Sequence, residues 1–307
     1  MMHPTLWIKN DRYFGEKFQP NEGQIHVLVV VPTDDVAVPR SVSVAVPTRP
    51  EVNLSSYDDL LTFLEGEMTD LSAVVSSPPI LAQERLEFCL VGREQAIDTA
   101  CKCFKDIVAH VKTSALDHNR VPMPVCAGIS GLGKTRMLEA AGTIVARMQL
   151  DPTQVFQVIV PYSNGHKPQP VERSMPIEAS FSWRLLYRFF LEMNCNRPFS
   201  TWFESRLPRN GARLRLEDAV KVIELKLRRQ LQTPGTLYLF LGVDDYRKIN
   251  NIGARRKNPN TPLLRELVGD ITDLLCTQLP NLGVLPMFAG TDLGAIKSNL
   301  FPTPHVT

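Results

Sequence analysis

The sequence predicts an α/β fold, a mostly parallel sheet flanked by helices and preceded by a small, partly extended N-terminal segment. Three observations predict it. Short apolar runs rich in Val, Ile and Leu recur from Val121 onward, segments with helical periodicity lie between them, and a glycine-rich turn joins the first of these runs to a helix. Neighbouring parallel strands need helical crossovers, so the alternation implies a sheet covered on both faces.

In chain order, Ile25–Val31 is a β-branched run closed by Pro32 and is expected to be a buried strand. Val42, Val44 and Val46 have period two, which suggests a short edge strand or an extended linker. Tyr57–Glu67 predicts a short helix capped by Ser55 or Ser56, after which Ser76–Pro79 breaks the chain. Gly92-Arg93-Glu94 opens an amphipathic helix whose apolar positions Ile97, Cys101, Phe104, Ile107, Val108 and Val111 follow the helical period. Val121–Ala127 predicts a strand, Gly128–Gly133 a turn, and Lys134–Met148 a helix. Val155–Val160 is the next strand, followed by a polar, proline-rich loop over 163–176. Further helices are expected at Ile177–Glu192, Leu216–Gln230 and Leu263–Thr277, and further strands at Leu237–Val243 and Gly283–Ala289. The plan is therefore an N-terminal stretch over 1–32, a linker or small region over 33–84, and one α/β domain over 85–307.

Composition narrows the function classes. The 34 basic and 32 acidic side chains leave a net charge of +2, which gives no electrostatic case for nucleic acid or an anionic membrane as the main partner. No run reaches about 18 apolar residues, so no membrane span is expected. The start, MMHPTLWIKNDRYFGEKF, lacks the basic-then-apolar order of a secretory signal peptide. Cys89, Cys101, Cys103, Cys126, Cys195 and Cys276 form no CxxC pair, and buried reduced thiols are expected.

Gly128-Ile129-Ser130-Gly131-Leu132-Gly133-Lys134-Thr135 matches GxxxxGK(S/T) in full, after an apolar strand and before a helix. This is the phosphate-binding loop pattern, and it makes the domain a P-loop NTPase. Glycines let the backbone curl so that successive N–H groups point at a phosphate, and the following helix adds its positive end. Lys134 is placed to reach the β and γ phosphates of ATP, and the Thr135 hydroxyl to ligate Mg²⁺. Such a site needs a carboxylate at the tip of a neighbouring strand. Leu237–Val243 runs into Asp244-Asp245, which nominates Asp244 as the Mg²⁺ partner and Asp245 as the group that orients or deprotonates the attacking water. The bland alternative for Asp245 is a residue that only structures the turn.

The strand Gly283–Ala289 ends in Gly290-Thr291-Asp292, where Thr291 is a candidate γ-phosphate sensor or, equally, a helix N-cap. Arg255-Arg256-Lys257 suits an arginine finger, a phosphate contact or a nuclear-import patch, but also an ordinary solvated loop. The aromatic set Phe181, Trp183, Tyr187, Phe189 and Phe190 sits at helical spacing and reads as core, as do Met137 and Met148. Arg228-Arg229 reads as the polar face of its helix. Asn258-Pro259-Asn260-Thr261 does not fit the NKxD element of GTP-specific sites, which tilts the nucleotide toward ATP.

The stretch Tyr13–Gln24 (YFGEKFQPNEGQ), followed by His26–Pro32 (HVLVVVP), closely resembles the junction of the Crinkler effectors of oomycetes. In that family this motif ends the delivery region and precedes varied C-terminal domains. The later part of the chain, from Val91-Gly92-Arg93-Glu94 through the P-loop, is similar to the NTPase module that follows the junction and to STAND and AAA-type ATPases. The resemblance implies a secreted virulence protein that enters host cells, commonly the nucleus, and engages host proteins. The family's LFLAK-type header does not occur in this chain, and the sequence stops soon after Thr291, so it reads as a shortened member or an incomplete gene model, without the helical lid and nuclease-like domain of longer relatives. Nucleic acid would be a partner only through such further domains. Two functions follow: an ATP-hydrolysing conformational switch, or a nucleotide-binding module that hydrolyses little and works by engaging host proteins.

Overall fold

The computed structural model describes residues 49–68, 92–113, 122–129, 131–163, 165–192, 194–195, 197–231, 235–253, 262–277 and 279–291. The chain divides into two compact units, Met1–Val46 and Pro47–Thr307, and everything described below belongs to the second. The strand expected at Ile25–Val31, the Val42–Val46 alternation and the basic triplet Arg255–Lys257 lie outside the described residues.

Four strands, β1 (Val125–Ala127), β2 (Val155–Pro161), β3 (Leu237–Asp244) and β4 (Leu282–Gly290), form one sheet in the order β1-β4-β3-β2, parallel at every pairing. Eight α-helices flank them among the described residues: α1 (Tyr57–Gly66), α2 (Glu94–Thr113), α3 (Lys134–Glu139), α4 (Ala141–Arg147), α5 (Ile177–Leu186), α6 (Phe199–Ser205), α7 (Leu216–Leu231) and α8 (Leu263–Cys276). Both faces of the sheet are buried. Along β3, Leu237, Leu239, Leu241 and Val243 enter the larger core with α1, α5, α6, α7 and α8. The alternate residues Tyr238 and Phe240 enter a smaller core with Ile97, Phe104, Met137, Leu138 and Ile144 from α2, α3 and α4. Two-sided burial explains why β3 and β4 read as continuous apolar runs rather than as alternating ones.

Several expected boundaries shift for identifiable reasons. The first strand is three residues long instead of the expected Val121–Ala127. The Phe288 N–H donates to Pro124 O, so Pro286, two residues earlier on β4, has its missing donor on the same β1 side. The β1–β4 ladder runs only from Val125↔Phe288 to Ala127↔Gly290. The long helix expected at Lys134–Met148 is divided at Ala140 into α3 and α4, so the helix behind the glycine-rich turn is one short segment. The loop over 163–176 contains a 3-10 turn at Pro170–Ser174, and α6 forms in a stretch where no helix is expected.

The end of the helix expected at Ile177–Glu192 widens to a π-turn over Tyr187–Leu191. There the Arg188 Nε donates to Ile159 O at 2.7 Å, which covers an outward carbonyl of the edge strand β2. Phe181, Trp183, Tyr187 and Phe190 are core residues, as their spacing predicts.

Helix α1 is capped by Ser56, whose side chain accepts from the Asp59 N–H. It packs into the larger core through Leu60, Leu61 and Leu64, although the sequence places this segment in the linker region. Its last turn is tied down by Glu67, a buried carboxylate that accepts from Arg206 Nε at 2.9 and 3.1 Å, Arg197 Nη1 at 3.3 Å and Trp202 Nε1 at 3.2 Å. A buried carboxylate persists only with such partners.

Asp270, a half-buried acid on α8, sits among like charges instead. Burial pushes the Asp270 carboxyl on α8 up to about 7, and the negative charges of Glu178 on α5 and of Asp273 and Glu266 on α8 add to the effect. The folded state therefore holds a proton here that the unfolded chain releases near pH ~3.9, so stability falls as pH rises from about 4 to about 7. Asp270→Asn is expected to stabilise the protein by about 1–2 kcal/mol at pH ~8, after allowing for solvent screening, and by nothing measurable near pH ~4. Urea unfolding at the two pH values checks this; an equal effect at both would refute it.

Candidate functional site

Because all four strands are parallel, their C-terminal tips lie along one edge of the sheet, where α/β proteins collect their ligands. The tip of β1 leads through Gly128 into the glycine-rich loop, and the Gly128 N–H donates to Gly290 O at the tip of β4. The tip of β3 presents Asp244, one strand away. The sheet order thus places the loop and the acidic strand on either side of β4.

Across this edge the Thr135 Oγ1 donates to Asp244 Oδ2 at 3.0 Å. The Asp245 N–H donates to the other oxygen, Asp244 Oδ1, also at 3.0 Å. Burial holds the Asp244 carboxyl above the usual carboxylate range and Asp245's charge adds to this, while the Thr135 hydroxyl and the Lys134 ammonium pull it back. A hydroxyl and a carboxylate are the hard oxygen donors that Mg²⁺ takes. By donor chemistry, Thr135 and Asp244 would suit that ion. Among the described residues no group of three His, Cys, Asp or Glu side chains is placed to hold a metal.

The other nominated residues are distributed around this pair. Lys134 turns back over the loop, its Nζ donating to Ile129 O at 2.7 Å. Ile129 and Leu132 expose 74% and 55% of their surface and are, with Leu231, the exposed large apolar side chains among the described residues. Gly131 and Gly133 have φ of 85° and 67°, the left-handed region that the curled loop requires. Ser130 lies outside the described residues. Asp245 also has a left-handed φ, 60°, and its Oδ2 is taken by Lys248 Nζ at 2.7 Å. Thr291 is exposed directly beyond β4, and Asp292, with any helix it would cap, lies outside the described residues. A Cβ on Gly290 would fall 2.5 Å from the ring of buried Tyr246, so the bare glycine lets the turn after Asp245 press against the tip of β4.

Two residues without a role in the sequence reading stand at the site. Lys248 is one. Arg93 is the other: its Nη1 donates to Gly133 O at 2.9 Å and its Nη2 to Leu132 O. The Gly-Arg-Glu at the start of α2 is visible in the sequence, but nothing local to it points at a loop 40 residues away.

Beside Asp244, the loop that leaves β2 is held by a buried ion pair. Tyr162 N–H donates to Asp244 O at 3.2 Å. Arg184, 1% exposed, meets the fully buried Glu172 with two bonds, Nε–Oε1 at 2.6 Å and Nη2–Oε2 at 2.7 Å. Its Nη1 donates to Pro161 O at 3.2 Å and His166 O at 2.8 Å. The same guanidinium lies 4.3 Å above the ring of Tyr162.

No family model matches the chain. A stretch of 31 residues is 71% identical to Crinkler effector protein 4 of Phytophthora capsici, covering 10% of this chain and 7% of that protein. Among solved structures, the chain is similar to the Aeropyrum pernix ORC1 protein in complex with DNA, with a TM-score of 0.34 and 14% identity over 73% of this chain and 47% of that one. It is also similar to Drosophila ORC bound to DNA, with a TM-score of 0.34 and 12% identity over 88% of this chain and 50% of that one. The chain thus spans a small part of the matched effector and about half of the matched structures. Among the described residues, no helix is long and apolar enough to cross a membrane.

Proposed function

We propose that the domain binds ATP with Mg²⁺ and hydrolyses it, and that the resulting change of shape is its output. The observation that carries this reading is the 3.0 Å approach of Thr135 Oγ1 to Asp244 Oδ2 across 109 residues of sequence. Only a fold that sets the glycine-rich loop beside the acidic strand brings those two atoms together.

In this reading the N–H groups of the loop over 128–135 grip the polyphosphate, and Lys134 leaves Ile129 O for the β and γ phosphates. Thr135 and Asp244 would hold Mg²⁺, which supplies positive charge to the phosphate oxygens as negative charge shifts between them. Lys248 holds one oxygen of Asp245, leaving the other to accept a hydrogen bond from the attacking water and then its proton. Thr291, at the tip of β4, is assigned the γ-phosphate contact. The short stretch shared with Crinkler effector protein 4 supports placing this domain in a secreted effector that acts inside host cells, the nucleus among its destinations, through host proteins.

A second reading, nucleotide binding with little turnover, draws support from Asp245. It is shorter than the Glu common at such a position, and its charge is already engaged by Lys248. Phosphate release from ATP, with and without Mg²⁺, in wild type and Lys134→Ala separates the readings. The switch predicts a Mg²⁺-dependent rate that falls by about 10²-fold in the variant. Equal rates in the two proteins would sink it, and tight ATP binding without release would select the second reading.

A further inference from the structure

We propose that Arg93 is a positioning residue for the phosphate-binding loop; the inference rests on the nucleotide-binding reading above. A trans peptide holds its C=O and N–H on opposite sides. Arg93 takes the carbonyls of Leu132 and Gly133, the two consecutive peptides that end the loop. Whatever fixes those carbonyls fixes the opposite direction of the N–H groups of Gly133 and Lys134. Those are two of the donors that a polyphosphate needs.

The geometry around Gly133 supports a dedicated contact. A Cβ on Gly133 would fall 2.5 Å from Arg93 Nη2, so the bare glycine serves two ends at once. It adopts a φ of 67°, and it leaves room for the guanidinium against the backbone. Gly133 O also accepts from the Met137 N–H at 3.2 Å as the first acceptor of α3, so Arg93 reinforces a carbonyl already aligned with that helix. Arg93 is itself anchored. Its carbonyl accepts from the Ile97 N–H at 2.9 Å in the first turn of α2, and Ile97 is buried in the smaller core with Met137 and Leu138 of α3. A planar guanidinium reaches two carbonyls from one anchor, which an ammonium does not.

The test is ADP binding by calorimetry, together with melting temperature with and without ADP, in wild type, Arg93→Met, Arg93→Lys and Gly133→Ala. Arg93→Met is expected to weaken ADP by about 10- to 100-fold, by analogy with the loss of residues that orient metal ligands. Arg93→Lys should fall between it and wild type, and the ligand-free melting temperature should change little in both. Gly133→Ala should also weaken ADP, and by a smaller factor in the Arg93→Met background, because the clash with the guanidinium is then gone. Wild-type affinity in Arg93→Met overturns the proposal, as does a fall in ligand-free melting temperature with ADP affinity retained, or strictly additive effects of the two substitutions. Failure of the wild type to bind ADP is a separate result that overturns the nucleotide reading itself.

Discussion

Asp244→Asn is expected to leave the protein folded and to lower Mg²⁺-dependent phosphate release by about 10²- to 10³-fold. The substitution keeps the shape of the side chain, and its amide oxygen can still accept from Thr135 or from the Asp245 N–H. At most one hydrogen bond is lost at a half-buried position, about 1 kcal/mol. What disappears is the negative charge at the tip of β3, and with it the carboxylate that would hold the cation opposite the Thr135 hydroxyl. Phosphate release measured over a Mg²⁺ titration, with melting curves on the same samples, reads both sides of the expectation. A folded variant that keeps wild-type turnover at low Mg²⁺ would remove Asp244 from the metal site.

Arg184→Ala is expected to act on stability rather than chemistry, at a cost of about 3–5 kcal/mol. The change leaves Glu172 fully buried with the Ser180 hydroxyl and the Gln169 N–H as its remaining donors among the described residues. It also strips the donor from Pro161 O and His166 O. The energetic asymmetry is the reason for the size: a buried pair gains little over an apolar one, but half of a pair leaves an uncompensated charge. Replacing both partners, Arg184→Met with Glu172→Leu, should therefore cost less than Arg184→Ala alone. Denaturant midpoints at constant m-value check the ordering. A loss below about 1 kcal/mol for Arg184→Ala would mean that water reaches Glu172 and relieves it. Because the loop held by Arg184 starts at Pro161, which pairs with Asp244 in the sheet, partial loosening should also raise hydrogen exchange beside the acidic tip.

Much of the fold is legible along the chain because its signals are local. The Leu237–Asp244 run, the periodicity of Leu216–Leu231 and the Ser56 cap each depend on neighbours within one element. The misses share a different cause. The shortening of β1 goes with a proline on the strand that happens to lie beside it, and the π-turn after α5 carries an arginine that covers the edge of β2. Helix α1 is legible as a helix, but the entry of its Leu60, Leu61 and Leu64 into the larger core depends on elements far along the chain.

What the sequence by itself determined is the chemistry on offer: the glycines, lysine and threonine of a GxxxxGK(S/T) loop within eight residues, and an apolar strand ending in two acids. What only the tertiary structure decided is which of these groups meet, and through what neighbours. Thr135 reaches Asp244 because strand order sets the loop and the acidic tip on either side of β4. Arg93 reaches Leu132 and Gly133 because α2 packs with α3 in one core. Spacing along the chain sets which groups the loop offers, whereas the approach of distant side chains depends on sheet order and packing, which no local pattern encodes.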